Sequence, residues 1–300
     1  MSGDAYAFRL RFKAVSPLLV REPGGAAKEQ RALSTDLPVG RRYLIPRSSW
    51  KGALRSAAES IAARVQPGSI AAAEHMRMIA STGAGRGGLL VYHDGGRLLG
   101  EAQSILQRVA PGSSVLEGRM LKDGLDAALA ALFTPDDRLQ LDEAAHKVAR
   151  ALAHLTCPVC ATFGSPYAAG LLNLSDSPFE GREVKLTHVS LARDTLTASE
   201  NKLFSEVAVE PIGHVVLLAT LVVPDRYGAG GIYSDGSEIL NLWISVLREA
   251  TDFGIRLGGG RSRGRGILML DVKGSEYRTF ASRGWSGLGD LIKAKRVGQA

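Results

Sequence analysis

GIRLGGGRSRGRGILMLDV, residues 254–272, decides what kind of fold this chain can have. Its glycines allow a ligand backbone to approach closely, and Arg261, Arg263 and Arg265 place positive charge among them. A dinucleotide-binding glycine loop follows a strand and opens a helix. Here the order is reversed. The segment 238–250 has helical spacing, with Leu240, Trp243, Ile244 and Leu247 inward, and ILMLDV (267–272) reads as a closing strand. A Rossmann reading therefore fails, and an anion-binding loop between the last helix and the last strand is expected.

Working outward, HVVLLATLVV (214–223) reads as a strand, and further strands are expected at 203–210, 184–192 and 169–175. DEAAHKVARALAHL (142–155) has helical spacing, as does the run from Ser48 to Val65, where Trp50, Leu54, Ala57 and Ile61 recur. Residues 6–15 alternate, with Phe8, Leu10 and Phe12 on one face of a first strand. Strand, helix, strands, helix, strand is the order of an α+β, ferredoxin-like or RRM-like sheet with helices on one face. We expect a single domain over residues 1–300. Pro17, Pro23, Gly24, Gly25, Pro38 and Gly40 mark a long loop at 16–44, and a glycine-rich insertion is expected at about 66–140.

With 45% hydrophobic and 22% charged residues, the chain is ordinary globular material. No run approaches the roughly 18 apolar residues of a membrane span, and MSGDAYAFRLRF lacks the pattern of a secretory signal. A cytoplasmic protein with no membrane partner is expected. Lysine and arginine number 37 against 30 acidic residues, a net charge of +7 that favours a polyanionic partner.

IPRSSWKGALR (45–55) spaces Arg47, Lys51 and Arg55 four apart, hence on one helical face. With Ser48, Ser49 and the N–H groups of a helix start, this ridge would hold phosphates; a capped helix with solvated charges is the plainer reading. The cysteines, Cys157 and Cys160, follow His154 as H-x-x-C-x-x-C, with His146 two turns upstream. These four have zinc-ligand chemistry, although two small buried residues or a redox pair fit the same spacing. Asp36, in STDLPV, is on composition alone a solvated turn former.

IPRSSWKGALR (45–55), CPVCATFGS (157–165), HVSLARDTLTASENKLFSEVAVEPIG (188–213) and GGGRSRGRG (258–266) together resemble the RAMP superfamily. Within it they look like the guide-RNA-binding backbone subunit of type III CRISPR effector complexes. The resemblance implies an RRM-like palm, a thumb hairpin at about 188–213 featuring Arg193-Asp194 and Lys202-Leu203-Phe204, and a glycine-rich loop before the last strand. It implies RNA contacts from Arg47, Ser48, Ser49, Lys51, Arg55, Gly260, Arg261, Ser262, Arg263, Gly264 and Arg265. Asp36 occupies the place of a nuclease aspartate, implying endonuclease cleavage of guide-paired target RNA with magnesium or manganese. Guide (CRISPR) RNA, target RNA, other effector subunits and further copies of this chain are the implied partners, in a prokaryotic cytoplasm. Two departures stand out: Arg47 lies where the family usually has glycine, and 66–140 exceeds a minimal member. Three rivals remain: a non-catalytic scaffold of the same complex, a guide-processing endonuclease, and an unrelated nucleotide-binding enzyme. The second commonly uses a histidine near the amino terminus, and none precedes His75.

Overall fold

The computed structural model describes residues 3–20, 32–38, 40–65, 95–191 and 198–294. Strand β1 (Gly3–Ala14) is followed by β2 (Ser34–Leu37) and β3 (Gly40–Ile45), and Pro46 leads into α1 (Arg47–Val65). Next come α2 (Gly95–Val109), β4 (Val115–Glu117), α3 (Gly118–Gly124), α4 (Ala127–Ala130), β5 (Arg138–Gln140), α5 (Leu141–Leu155) and α6 (Pro158–Phe163). Then follow β6 (Leu172–Leu174), β7 (Ser177–Phe179), β8 (Gly181–Leu191), β9 (Ala198–Pro211), β10 (His214–Pro224), β11 (Arg226–Ala229) and β12 (Ile232–Asp235). The described chain ends with α7 (Ser237–Asp252), β13 (Ile255–Arg256), β14 (Ile267–Leu270), β15 (Glu276–Thr279), β16 (Ser286–Gly287) and α8 (Leu288–Ala294).

Alternation builds the main sheet. In β1, Tyr6, Phe8, Leu10 and Phe12 are buried while Arg9, Arg11 and Lys13 stand on the other face; in β10, Val215, Leu217, Ala219 and Leu221 are buried in the same way. The sheet runs β13-β14-β1-β10-β6, with β15 beside β1 and β16 beside β15. β14 lies antiparallel to β1, with Phe12 opposite Leu270 and Ala14 opposite Leu268. The fold class is α+β, with the ferredoxin-like palm expected from the order of elements.

Where the sequence leads us to expect one domain with an insertion, the chain divides into two compact units. One comprises Met1–Tyr6, Arg55–Asn173 and Leu221–Val246. In it, residues 95–140 are no loose insertion: Leu98, Leu106, Leu116, Leu121, Leu129 and Phe133 form a core with Val148 and Leu152 of α5. Of the residues that suggest an insertion, Pro111 and Gly112 mark the break between α2 and β4. Residues 66–94, with His75, lie outside the described residues.

The other unit comprises Ala7–Leu54, Leu174–Thr220 and Leu247–Ala300. The loop expected at 16–44 is corrected over 34–44, since β2 and β3 form a hairpin with Leu37 opposite Gly40, and β3 pairs in turn with β7. Pro38 and Gly40 belong to its turn, where Gly40 has φ 102°. β8 and β9 form a long hairpin, Gly181 opposite Pro211, that begins well before His188. Arg193-Asp194 fall outside the described residues. No helix among the described residues is long and apolar enough to cross a membrane.

Trp50, fully buried in the first turns of α1, fixes that helix on the palm. Its ring lies 4.8 Å from that of Phe12, and its Nε1–H donates to Ser177 Oγ at 2.9 Å. Ser177→Ala is expected to strand the indole N–H in the core and cost about 1–3 kcal/mol in urea unfolding. An unchanged midpoint would show that the bond is not made.

Candidate nucleic-acid interface

The start of α1 differs from the expectation in one respect. Asp176, from the link between β6 and β7, accepts the Arg47 N–H at 2.6 Å, and Pro46 O accepts the Ser49 and Trp50 N–H groups. A carboxylate at the positive end of the helix thus takes the place reserved for phosphate, and Ser48 and Ser49 lie inside the helix rather than capping it. What remains for a ligand is side chain: Arg47, Ser48 and Lys51 are exposed and Ser49 is half-buried.

Arg55 does not continue this ridge. Its guanidinium donates to Glu59 Oε1 at 2.7 Å and to Gly164 O at 2.8 Å, and meets Cys160 Sγ at 3.7 Å. The helical spacing is as read, but the third cation is engaged inside the protein.

The glycine-rich loop is a turn of 3-10 helix over Arg261–Arg263, flanked by Gly260 and Gly264 in the left-handed region. Both ends hang on the segment after β1: Gly259 N–H donates to Leu19 O at 2.8 Å and Gly266 N–H to Pro17 O at 3.0 Å. The arginine triplet divides. Arg261, Ser262, Arg263 and Gly264 are exposed, whereas Arg265 is buried and donates to Glu206 of β9. Arg263 Nη1 stands 3.5 Å from the same carboxylate. Glu206 was not among the expected residues, yet an acid on the inward face of an alternating strand, in line with buried Ala208, is a legible signal.

Both elements border the carboxyl end of β1. Trp50 packs on Phe12, while Phe12 and Ala14 pair with β14, the strand that leaves the glycine loop, and Val15 N–H donates to Ile267 O at 2.9 Å. Exposed Arg47 and Lys51 on one element and Arg261 and Arg263 on the other therefore belong to the same end of the palm.

Asp36 is exposed on β2, opposite Arg41, so the two side chains share a face of the hairpin. Arg41 is held by Ser34 Oγ, at 3.0 Å from Nε and 2.8 Å from Nη2. The strand path from Arg41 to Arg47 separates this carboxylate from the helix start by up to about 20 Å.

Of the four ligands expected in and before the H-x-x-C-x-x-C stretch, His154 and Cys157 each neighbour Cys160. His154 Nδ1 lies 3.3 Å from Cys160 Sγ, and Cys157, the residue before α6, lies beside Cys160. His146 is about 12 Å away along α5 and its Nδ1 lies 2.8 Å from Asp142 O. Zinc needs donors converging at about 2.0–2.3 Å, and among the described residues no three His, Cys, Asp or Glu side chains stand together in that way. The Arg55 guanidinium on Cys160 Sγ also opposes a second cation there. Burial, followed by the neighbouring Cys160, pushes the Cys157 thiol well up. Cys157 is expected to resist alkylation in the native protein at neutral pH and to react on denaturation, with peptide mass mapping as the readout. A cleft of about 560 Å³ opens beside these groups, lined by His154, Leu155, Cys160, Tyr227 and Tyr233 among others. Tyr227 donates to Glu238 Oε2 at 2.8 Å, and burial together with that carboxylate keeps its phenol protonated.

A model of the RAMP superfamily matches residues 11–268. No curated protein matches the chain.

Proposed function

The chain belongs to the RAMP superfamily, whose members are CRISPR-associated RNA-binding proteins, and from that premise we propose that it is a guide-RNA backbone subunit of a type III interference complex that cuts guide-paired target RNA. The observation that carries this reading is that both cation-bearing elements contact the carboxyl end of β1: α1, with Arg47 and Lys51, packs Trp50 on Phe12, and the glycine loop, with Arg261 and Arg263, runs into β14, which pairs with Phe12 and Ala14. Guanidinium and ammonium groups on a glycine-lined path suit a sugar-phosphate strand, which they grip without reading sequence. Base pairing with the guide supplies the specificity.

Cleavage is assigned to Asp36. From its exposed place on β2 the carboxylate can orient the 2′-hydroxyl of a nucleotide and take its proton as that oxygen attacks the adjacent phosphate. The attack forms a 2′,3′-cyclic phosphate while the bond to the next nucleotide's 5′-oxygen breaks and that oxygen takes a proton from water; this confines cutting to RNA. Arg41, on the same face, is placed to offset charge developing on that phosphate. One carboxylate together with phosphate oxygens is a donor set that magnesium or manganese accepts, and such an ion would supply further positive charge to the reacting phosphate.

Asp36→Asn keeps the hairpin and removes the charge. In the assembled complex this variant is expected to lower target cleavage at least about 100-fold while guide-RNA affinity stays within a factor of about two. Evenly spaced products persisting at the wild-type rate would remove Asp36 from the reaction and favour the non-catalytic scaffold. The guide-processing reading has no histidine to act through in residues 1–74.

A further inference from the structure

We propose that the β15–β16 hairpin is a second surface for single-stranded RNA, with Arg9 and Arg278 taking phosphates and Phe280 stacking on a base. It rests on the reading above only for the identity of the polyanion. The stretch RTFASRGW, 278–285, interleaves Arg278 and Arg283 with Phe280 and Trp285, and it follows residue 268, where the family match ends.

Two guanidiniums meet one indole. Arg9 lies 4.8 Å and Arg278 5.1 Å from the centre of the Trp285 ring, and Glu276 Oε2 accepts from Arg9 at 3.0 Å. The ring's negative face offsets the repulsion between two cations that would otherwise separate, so their positions are fixed before a ligand arrives. Arg11 and Lys13 continue the same exposed face of β1, at steps of about 6.8 Å. Against Glu276 and Asp271, the cations of Arg9, Arg11, Lys13 and Arg278 leave an excess of two positive charges. Phe280 is 69% exposed at the turn of this hairpin. An aromatic ring left in water beside ordered guanidiniums is the combination that single-stranded nucleic acid uses, because every base offers a flat face. An acidic peptide would use the charge and leave the ring idle.

Tryptophan emission reads this site directly. Trp50 and Trp243 are fully buried and Trp285 is 38% exposed, so acrylamide quenching in the full-length protein reports on Trp285. A long oligouridine at saturation is expected to reduce that quenching roughly twofold, and Phe280→Ala to weaken binding of the long RNA about tenfold. The variant Arg9→Gln/Arg278→Gln should lower the slope of log affinity against log salt by about 1.4, two phosphate contacts' worth. In a variant of the α1 and glycine-loop cations, Lys51→Ala/Arg261→Ala, protection of Trp285 should persist at higher RNA concentration, which would support this surface even if the assignment of those cations fails. RNA that binds, and is weakened by Lys51→Ala/Arg261→Ala, while leaving Trp285 as open to acrylamide as in the free protein would overturn the proposal and spare the α1 and glycine-loop cations. Polyglutamate protecting Trp285 at lower concentration than oligouridine would also overturn it, in favour of an acidic protein partner.

Discussion

Arg265→Ala is expected to lower the stability of the protein by about 3–5 kcal/mol, the cost of leaving one member of a buried ion pair without the other. The side chains of Arg265 and Glu206 are 6% and 10% exposed, so solvent does little to screen the loss. The pair also ties the glycine loop to β9. Without it, Glu206 keeps Arg263, 3.5 Å away, and draws that side chain inward. RNA affinity is therefore expected to fall together with stability, although Arg265 itself is buried. Thermal unfolding should show a drop on the order of 10 °C. Glu206→Gln, which keeps an acceptor but no charge, should fall between the variant and the wild type. Stability within about 0.5 kcal/mol of wild type in both variants would contradict a buried pair.

Gly266→Ala is expected to be harsher than Gly264→Ala, although both glycines have nearly the same backbone conformation, φ 73° and 76°. Left-handed backbone costs an L-residue about 1–2 kcal/mol at either position. The difference is room. A Cβ on Gly264 meets nothing within 4 Å, whereas one on Gly266 would stand 1.8 Å from Leu257 O, a backbone atom of the facing strand end that cannot step aside. Gly266→Ala must therefore break the Gly266–Pro17 and Leu257–Gly266 bonds that close the loop, and should cost more than about 4 kcal/mol or fail to fold. Chemical denaturation of the two variants side by side decides the matter. Equal, small losses would mean that the loop can open without penalty, and the rigid anion-binding turn would have to be given up.

The palm was legible because its elements carry their own periodicity. Phe8, Leu10 and Phe12 alternate, Trp50 and Leu54 recur at helical spacing, and HVVLLATLVV has one buried face, so burial alone specifies each element. The β2–β3 hairpin was not legible, because Ser34 to Leu44 gain their order from pairing with β7 more than a hundred residues away, a partner that no local pattern announces. Residues 95–140 hid their core for a related reason: short helices broken by glycine and proline bury Leu106, Leu116 and Leu121 only once α5 lies against them. In the site, residue type and spacing identified the cations but not their employment. Arg55 and Arg265 have the sequence context of Lys51 and Arg263, and only Glu59, Gly164 and Glu206 in three dimensions separate those that brace the protein from those that face outward.

One joint has a mechanical meaning. β3 ends at Ile45 and α1 begins at Arg47, so a single proline, its φ fixed by its ring, connects the ribbon bearing Asp36 to the helix bearing Arg47 and Lys51. The two are therefore held in a fixed relation, and on the function proposed above the gap between where a strand is held and where it would be severed is built in like the jaws of a caliper. On that proposal, a residue inserted on either side of Pro46 would reset the gap and shift the cut along the target.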